Sequence, residues 1–81
     1  MIPYLVNGIH HSFTGPLELD DGDCVNLRDA AGLHAGYDGL YRIIGIKMTS
    51  LGREEYPEAT VERIGDIKEG QPIYLVGDRP R

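Results

Sequence analysis

The hydrophobic positions of this chain fall in short runs separated by turn residues. Eleven glycines and five prolines interrupt the sequence, and no window long enough for a helix carries apolar residues at a 3.6-residue spacing. Short β-forming runs between turn clusters are typical of an all-β domain. We therefore predict one small domain over residues 1–81, a β-barrel or β-sandwich of five to six short, mainly antiparallel strands.

The strongest strand signal is Leu40–Ser50, whose consecutive isoleucines indicate burial on both faces, as in a central strand. The turn Leu51–Glu54 joins it to a return strand, Glu55–Ile64, and this hairpin is expected to organise the domain. A turn-rich connector, residues 65–72, follows the hairpin. The same pattern predicts four further strands, Ile2–Val6, Ile9–Thr14, Cys24–Arg28 and Ile73–Val76, and a short alternating segment, Leu17–Leu19, before the turn 20–23.

Local signals refine these elements. Pro3 cannot donate a backbone hydrogen bond, so the first strand is expected at a sheet edge. In Cys24–Arg28, alternation directs Val25 and Leu27 inward and Asn26 and Arg28 outward. Residues 28–34 are predicted as either a short helical turn or an irregular loop, and residues 77–81 as a frayed tail.

The core is expected to form around the central hairpin. The most buried residues should include Ile43, Ile44, Ile46, Val61 and Ile64. Ile44→Ala is accordingly predicted to cost on the order of 2–5 kcal/mol. Among the tyrosines, Tyr41 and Tyr74 occupy strand positions and are predicted to be buried, whereas Tyr37 and Tyr56 lie at loops and are predicted to be exposed.

Length and charge limit the possible functions. A chain of 81 residues buries only about 60% of its unfolded surface, and a single cysteine excludes an internal disulfide, so a partner or a second copy is the expected source of additional stability. The 13 acidic and 8 basic side chains form no basic patch, which argues against direct nucleic-acid binding. Residues 1–40 carry six acidic side chains and one basic one, whereas residues 41–81 carry seven of each. This asymmetry indicates either simple solubility or two electrostatically different faces suited to head-to-tail contacts.

No motif points to catalysis or to a cofactor. The sequence Asp20-Asp21-Gly22-Asp23 lacks the spacing of a calcium loop and is better explained as a solvated turn. The three histidines do not converge on a metal-binding pattern. Cys24 has no neighbouring base and is expected to be a small buried, unreactive side chain. We therefore predict a protein that is not an enzyme and has no metal or cofactor.

Contacts with a partner are the remaining candidate function. The glycine-rich loop 32–39 is either a flexible connection or a contact loop carrying Tyr37. We predict an interface in which acidic side chains orient the contact and apolar ones supply the affinity: Glu18, Asp20, Asp21, Asp23, Tyr37 and Leu40. If the partner is another copy, the matching basic residues are Arg42, Lys47, Arg53 and Arg63.

About half of the chain resembles a known family. The segments Gly22–Asp29, Gly32-Leu33, Gly39–Ile46 and Ala59–Ile64 are similar to β-barrel domains of phage tail hub and baseplate proteins. There, a strand begins after Gly-Asp-x-Val and a later one carries Gly-x-Tyr-Arg-Ile-x-Gly-Ile. The resemblance implies a structural role in tail or virion assembly, through self-association or docking, with no catalytic residue to transfer.

The resemblance and the first residues together give an expected location. Residues 1–8 are too soon interrupted for a signal peptide or a membrane span, so the chain is expected in the virion or the host cytoplasm, without a membrane partner. The alternative hypothesis is a small acidic inhibitor, encoded by a phage, that binds a host defence protein. An acidic surface such as residues 18–23 could occupy a site built for nucleic acid.

Overall fold

The computed structural model describes residues 1–80, and these residues contain six β-strands and no helix. The prediction of a small all-β domain is therefore confirmed. The strands are β1 (Ile2–Val6), β2 (His11–Gly15), β3 (Cys24–Asp29), β4 (Asp38–Leu51), β5 (Glu54–Gly65) and β6 (Ile73–Asp78).

The six strands close into a barrel in the order β1-β2-β6-β3-β4-β5. Four of the neighbouring pairs are antiparallel, whereas β1 pairs with β5 and β3 with β6 in parallel. The predicted, mainly antiparallel arrangement is thus confirmed, and the barrel is the form it takes. Closure gives β1 two neighbours, so the edge position predicted from Pro3 is wrong. Pro3 is tolerated because it lies in the part of β1 that pairs only with β2.

The barrel interior is filled by side chains from every strand. Tyr4 stacks on Phe13 with ring centroids 5.3 Å apart, and Tyr74 lies half-buried against Phe13 at 5.8 Å. The buried hydrophobic residues are Tyr4, Leu5, Val6, Phe13, Val25, Leu27, Tyr41, Ile43, Ala59, Val61 and Val76. Ile43, Val61 and Tyr41 were predicted in this set.

Two predicted core residues, Ile44 and Ile64, are instead exposed by 52% and 40%. Each is the extra residue of a β-bulge. Ile43 pairs with Val61 while Gly45 pairs with Thr60, which leaves Ile44 without a partner; on β5, Ile64 is passed over in the same way. Strand alternation already places both residues outward, because Ile44 follows the buried Ile43 and Ile64 lies three residues after the buried Val61. As bulged residues, both also lack a cross-strand partner.

Asn26 was predicted to point outward from β3, and it is instead fully buried. The chain passes from β5 to β6 through residues 66–72, and β4 and β3 lie between those two strands in the barrel. This connector covers the outside of β3. The Asn26 side chain holds it, donating Nδ2 to the carbonyls of Lys68 at 2.8 Å and Gln71 at 3.4 Å, while its Oδ1 accepts the Lys68 amide at 2.8 Å.

Several connections also differ from the sequence-based prediction. Residues 28 and 29 belong to β3, and residues 30–37 form a loop without a helix. The Asp29 carboxylate orders this loop by accepting the amides of Gly36 and Tyr37. The alternating segment 17–19 lies outside the strands, and residues 17 and 18 form a turn. Gly77 and Asp78 pair with β2 and are not part of a frayed tail, while Arg81 lies outside the described residues.

Cys24 is exposed at the start of β3, so its predicted burial is wrong. We expect this thiol to react with a bulky thiol reagent under native conditions, at a rate close to that of the unfolded chain. A rate many-fold slower than in denaturant would contradict the exposed position. The measurement is the modified fraction against time with and without denaturant.

Candidate protein-docking site at one end of the barrel

The strand directions divide the loops between two ends of the barrel. The β2–β3 connection, residues 16–23, and the β4–β5 turn lie at one end, which we call the groove end. The β1–β2 and β3–β4 connections lie at the other. The predicted interface residues Glu18, Asp20, Asp21 and Asp23 are all at the groove end and all exposed. Tyr37 and Leu40 belong to the opposite end, so the structure does not bring the two predicted parts together.

Tyr37 packs against the core, so its predicted exposure is wrong. It is half-buried, its ring lies 5.6 Å from that of Tyr41, and its hydroxyl accepts a hydrogen bond from Asn7 Nδ2 at 3.2 Å. Burial raises the pKa of Tyr37 above the ordinary tyrosine value. Leu40 is also half-buried and pairs with Asn26 and Gly65. Both residues therefore make their contacts within the barrel.

The acidic loop, residues 18–23, is a fixed turn with its carboxylates in solvent. Asp23 closes the turn: its Oδ2 accepts the Asp20 amide at 2.8 Å, and its own amide donates to the Asp20 carbonyl at 3.1 Å. The loop is tied to β4 because the Gly22 amide donates to the Ile43 carbonyl at 2.7 Å and the Ile43 amide donates to the Asp23 carbonyl at 2.8 Å. The predicted turn is confirmed, and it places the acidic side chains beside β4.

The β4–β5 hairpin continues past the barrel as an arm, residues 44–58. Its two strands pair with each other as far as Leu51 and Glu54, around a two-residue turn. Gly52 has a φ of 62° in that turn, a conformation that glycine adopts without steric cost. On the β1 side, pairing reaches only as far as Glu58. Backbone pairing therefore joins the arm to the barrel at its base alone.

An apolar groove lies between the arm and the barrel. It has a volume of about 300 Å³ and is lined by Ile2, Tyr4, Leu17, Leu19, Ile46, Met48 and Pro57. Leu17 and Met48 are 73% and 60% exposed. The Tyr4 hydroxyl donates a hydrogen bond to the Pro16 carbonyl and so holds the segment that carries both leucines. Burial raises the pKa of Tyr4.

The bulge at Ile44 decides which residues face the groove. Counting from the buried Ile43 without an extra residue would place Gly45 and Lys47 on the inner face. The bulge shifts the alternation by one, so that Ile46 and Met48 take those places. Ile44, which was wrongly predicted to be buried, is therefore the extra residue that brings apolar side chains to the inner face of the arm. The apolar positions of the sequence move in the same way, from 41 and 43 to 46 and 48, but this change was interpreted as burial on both faces of the strand.

The net charge of the chain resides at the groove end. The acidic loop and the arm together carry seven acidic side chains and two basic ones, Lys47 and Arg53, whereas the rest of the sequence carries six of each. The other basic residues predicted to pair between copies have partners within the chain. Arg42 lies 3.9 Å from Glu62, and Arg63 lies 3.0 Å from Asp66. The four carboxylates of the acidic loop and the three of the arm therefore lie at the same end of the barrel.

The metal-ligating and buried polar side chains of the described residues form no further candidate site. Among residues 1–80 no three histidine, cysteine or carboxylate side chains are placed to hold a metal ion. Every buried polar side-chain atom in this part of the chain has a hydrogen-bond partner. None of its segments is a helix of the length and apolarity that a membrane crossing requires.

Comparison with known proteins found no matching family model, no matching curated protein and no matching solved structure.

Proposed function

We propose that this chain is a structural, protein-binding module, an assembly component of a phage tail or virion, which docks through the groove end of its barrel. The phage setting rests on the resemblance of residues 20–64 to tail hub and baseplate barrels. The docking role rests on one observation: an open apolar groove lies beside the end of the molecule that carries its net charge of −5.

The chemistry of the groove end suits a protein partner. Apolar surface supplies affinity when it is buried, and flanking charges select and orient the partner. Acidic residues repel nucleic-acid phosphates, so the same surface disfavours direct nucleic-acid binding. Two identical groove ends would also repel each other, so contacts between copies would be head-to-tail, as in a ring or a stack.

Sedimentation of the purified chain tests the self-association form of this proposal. We expect a species heavier than the 9.0 kDa monomer at high concentration, with association slowed by salt more than it is reversed. Changing Asp20, Asp21 and Asp23 to asparagine should slow association more than it lowers the final amount of the heavier species. Each exposed charge pair contributes only about 0–1 kcal/mol, so these charges orient the contact and do not drive it. A chain that is monomeric under all these conditions would rule out self-assembly.

The concentration of charge also favours a second candidate, an acidic inhibitor of a host defence protein. A surface with seven carboxylates and two basic side chains can occupy a site that binds phosphates. This candidate predicts a monomer whose binding partner has a basic surface, and it becomes the stronger hypothesis if sedimentation finds only monomer.

A further inference from the structure

The arm has an unpaired strand edge, and this edge indicates the backbone conformation in which a partner can bind at the docking site. The β4 strand has β5 on one side. On the other side its pairing ends at Ile43, where the acidic loop makes the last contacts. Within residues 1–80 no strand pairs with the stretch 45–51 on that side. An unpaired strand edge offers a row of backbone donors and acceptors to another extended chain.

The two edges of the arm are not equivalent. On the β5 edge, Pro57 lies just before the first residue that pairs with β1 and has no amide hydrogen to donate. Proline is a common means of blocking strand addition. The β4 edge contains no proline between Ile44 and Leu51. Strand addition is therefore open on β4, the edge that begins beside the acidic loop.

We propose that the β4 edge of the arm binds an extended segment of a partner protein, in which apolar side chains alternate with lysine or arginine. Backbone hydrogen bonds would extend the arm by one strand, as in other β-augmentation complexes. Every second side chain would enter the groove against Ile46, Met48 and Leu17. The intervening basic side chains would face the carboxylates of the acidic loop. This inference rests on the proposed docking function and specifies the partner's chemistry.

Charge complementarity selects this occupant over a second copy of the chain. The groove end has an excess of five negative charges, and the rest of the sequence has no net charge to offset it. A copy docking with another face would meet a surface without net charge and be attracted only weakly, through single basic side chains, and a copy docking with its own groove end would be repelled. A basic segment would be attracted, and its alternating apolar side chains match the period of the strand.

A synthetic peptide tests the proposal directly. The probe is an alternating lysine-valine peptide of about seven residues, which matches the open edge 45–51 at strand spacing, titrated into the full chain at low salt. We expect saturable binding that is at least about tenfold tighter than that of the glutamate-valine peptide. A lysine peptide with proline at alternate valines should also bind at least about tenfold more weakly, because it cannot complete the backbone pairing.

The chain itself offers matched variants. Met48→Ser removes an apolar groove side chain that is 60% exposed, and Leu75→Ser removes one that is 59% exposed on β6. Both should fold, and only Met48→Ser should weaken peptide binding, by about fivefold or more. Likewise, Asp20→Asn, Asp21→Asn and Asp23→Asn together should weaken peptide binding, whereas Asp66→Asn, Glu69→Gln and Asp78→Asn together should not. The amides of residues 45–51 should gain protection from exchange in the complex.

The possible outcomes separate this inference from the proposed function. Equal affinity for the lysine and glutamate peptides, or equal effects of the two serine variants, would overturn the inference. If no peptide binds but sedimentation shows a heavier species that Met48→Ser disrupts, the occupant is another copy, and the docking function stands without this partner. If no peptide binds and the chain is always monomeric, both the inference and the assembly role fail.

Discussion

Ile43→Ala is expected to lower the free energy of unfolding by about 2–5 kcal/mol, while Ile44→Ala is expected to lower it by less than about 1 kcal/mol. Ile43 is fully buried in the barrel, whereas Ile44 is the bulged residue and is 52% exposed. The two substitutions remove the same atoms from neighbouring residues of one strand. Any difference between them therefore reports burial and not β-propensity.

Denaturant unfolding of the two variants and the unchanged chain provides the measurement. A loss of the size expected for Ile43 is a large share of the stability of a small domain, so its midpoint should fall well below the others. Equal losses for the two variants would mean that Ile44 is as buried as Ile43. A larger loss for Ile44→Ala would restore the sequence-based prediction that this side chain lies in the core.

The fold class could be predicted from the sequence because turn residues and short β-forming runs are local signals. The long hairpin, its turn and the inward alternation of Val25 and Leu27 all follow from such signals. Barrel closure does not, since pairing of β1 with β5 and of β3 with β6 joins segments far apart in sequence. The exposure of Ile44 and Ile64 also escapes prediction, because they are as apolar as the buried Ile43 and Val61 of the same strands.

The candidate site was predicted in part, for the same reasons. The cluster of carboxylates at residues 18–23 is visible in the sequence, and a turn places it in solvent. Its apolar neighbours are not visible, because Leu17, Met48 and Pro57 come from three segments that meet only when the barrel closes. Tyr37 and Leu40 were chosen for their nearness to a glycine-rich loop. The strand directions place that loop at the opposite end.

Asn26 is the residue whose role depends most on tertiary structure, and its replacement is the second large effect that we expect. Asn26→Ala should cost on the order of 2–4 kcal/mol, because it removes three hydrogen bonds that a fully buried side chain makes to the backbone of the connector. Lys68→Ala and Gln71→Ala are suitable controls. They keep the backbone atoms that Asn26 contacts and should cost less than about 0.5 kcal/mol each.

Asn26→Asp distinguishes a specific hydrogen-bond role from simple filling of space. The carboxylate keeps the size of the side chain, but it loses the donor and faces the carbonyl oxygens of Lys68 and Gln71. A buried carboxylate that faces two carbonyl oxygens and only one amide donor is unfavourable. This variant should therefore be at least as destabilised as Asn26→Ala at neutral pH. Because the folded state favours the protonated carboxyl, the loss in free energy of unfolding relative to the unchanged chain should become smaller as the pH falls. Unfolding curves at several pH values, with exchange of the Lys68 amide as a local probe, measure both effects. If Asn26→Asp is as stable as the unchanged chain at neutral pH, Asn26 does not hold the connector across β3.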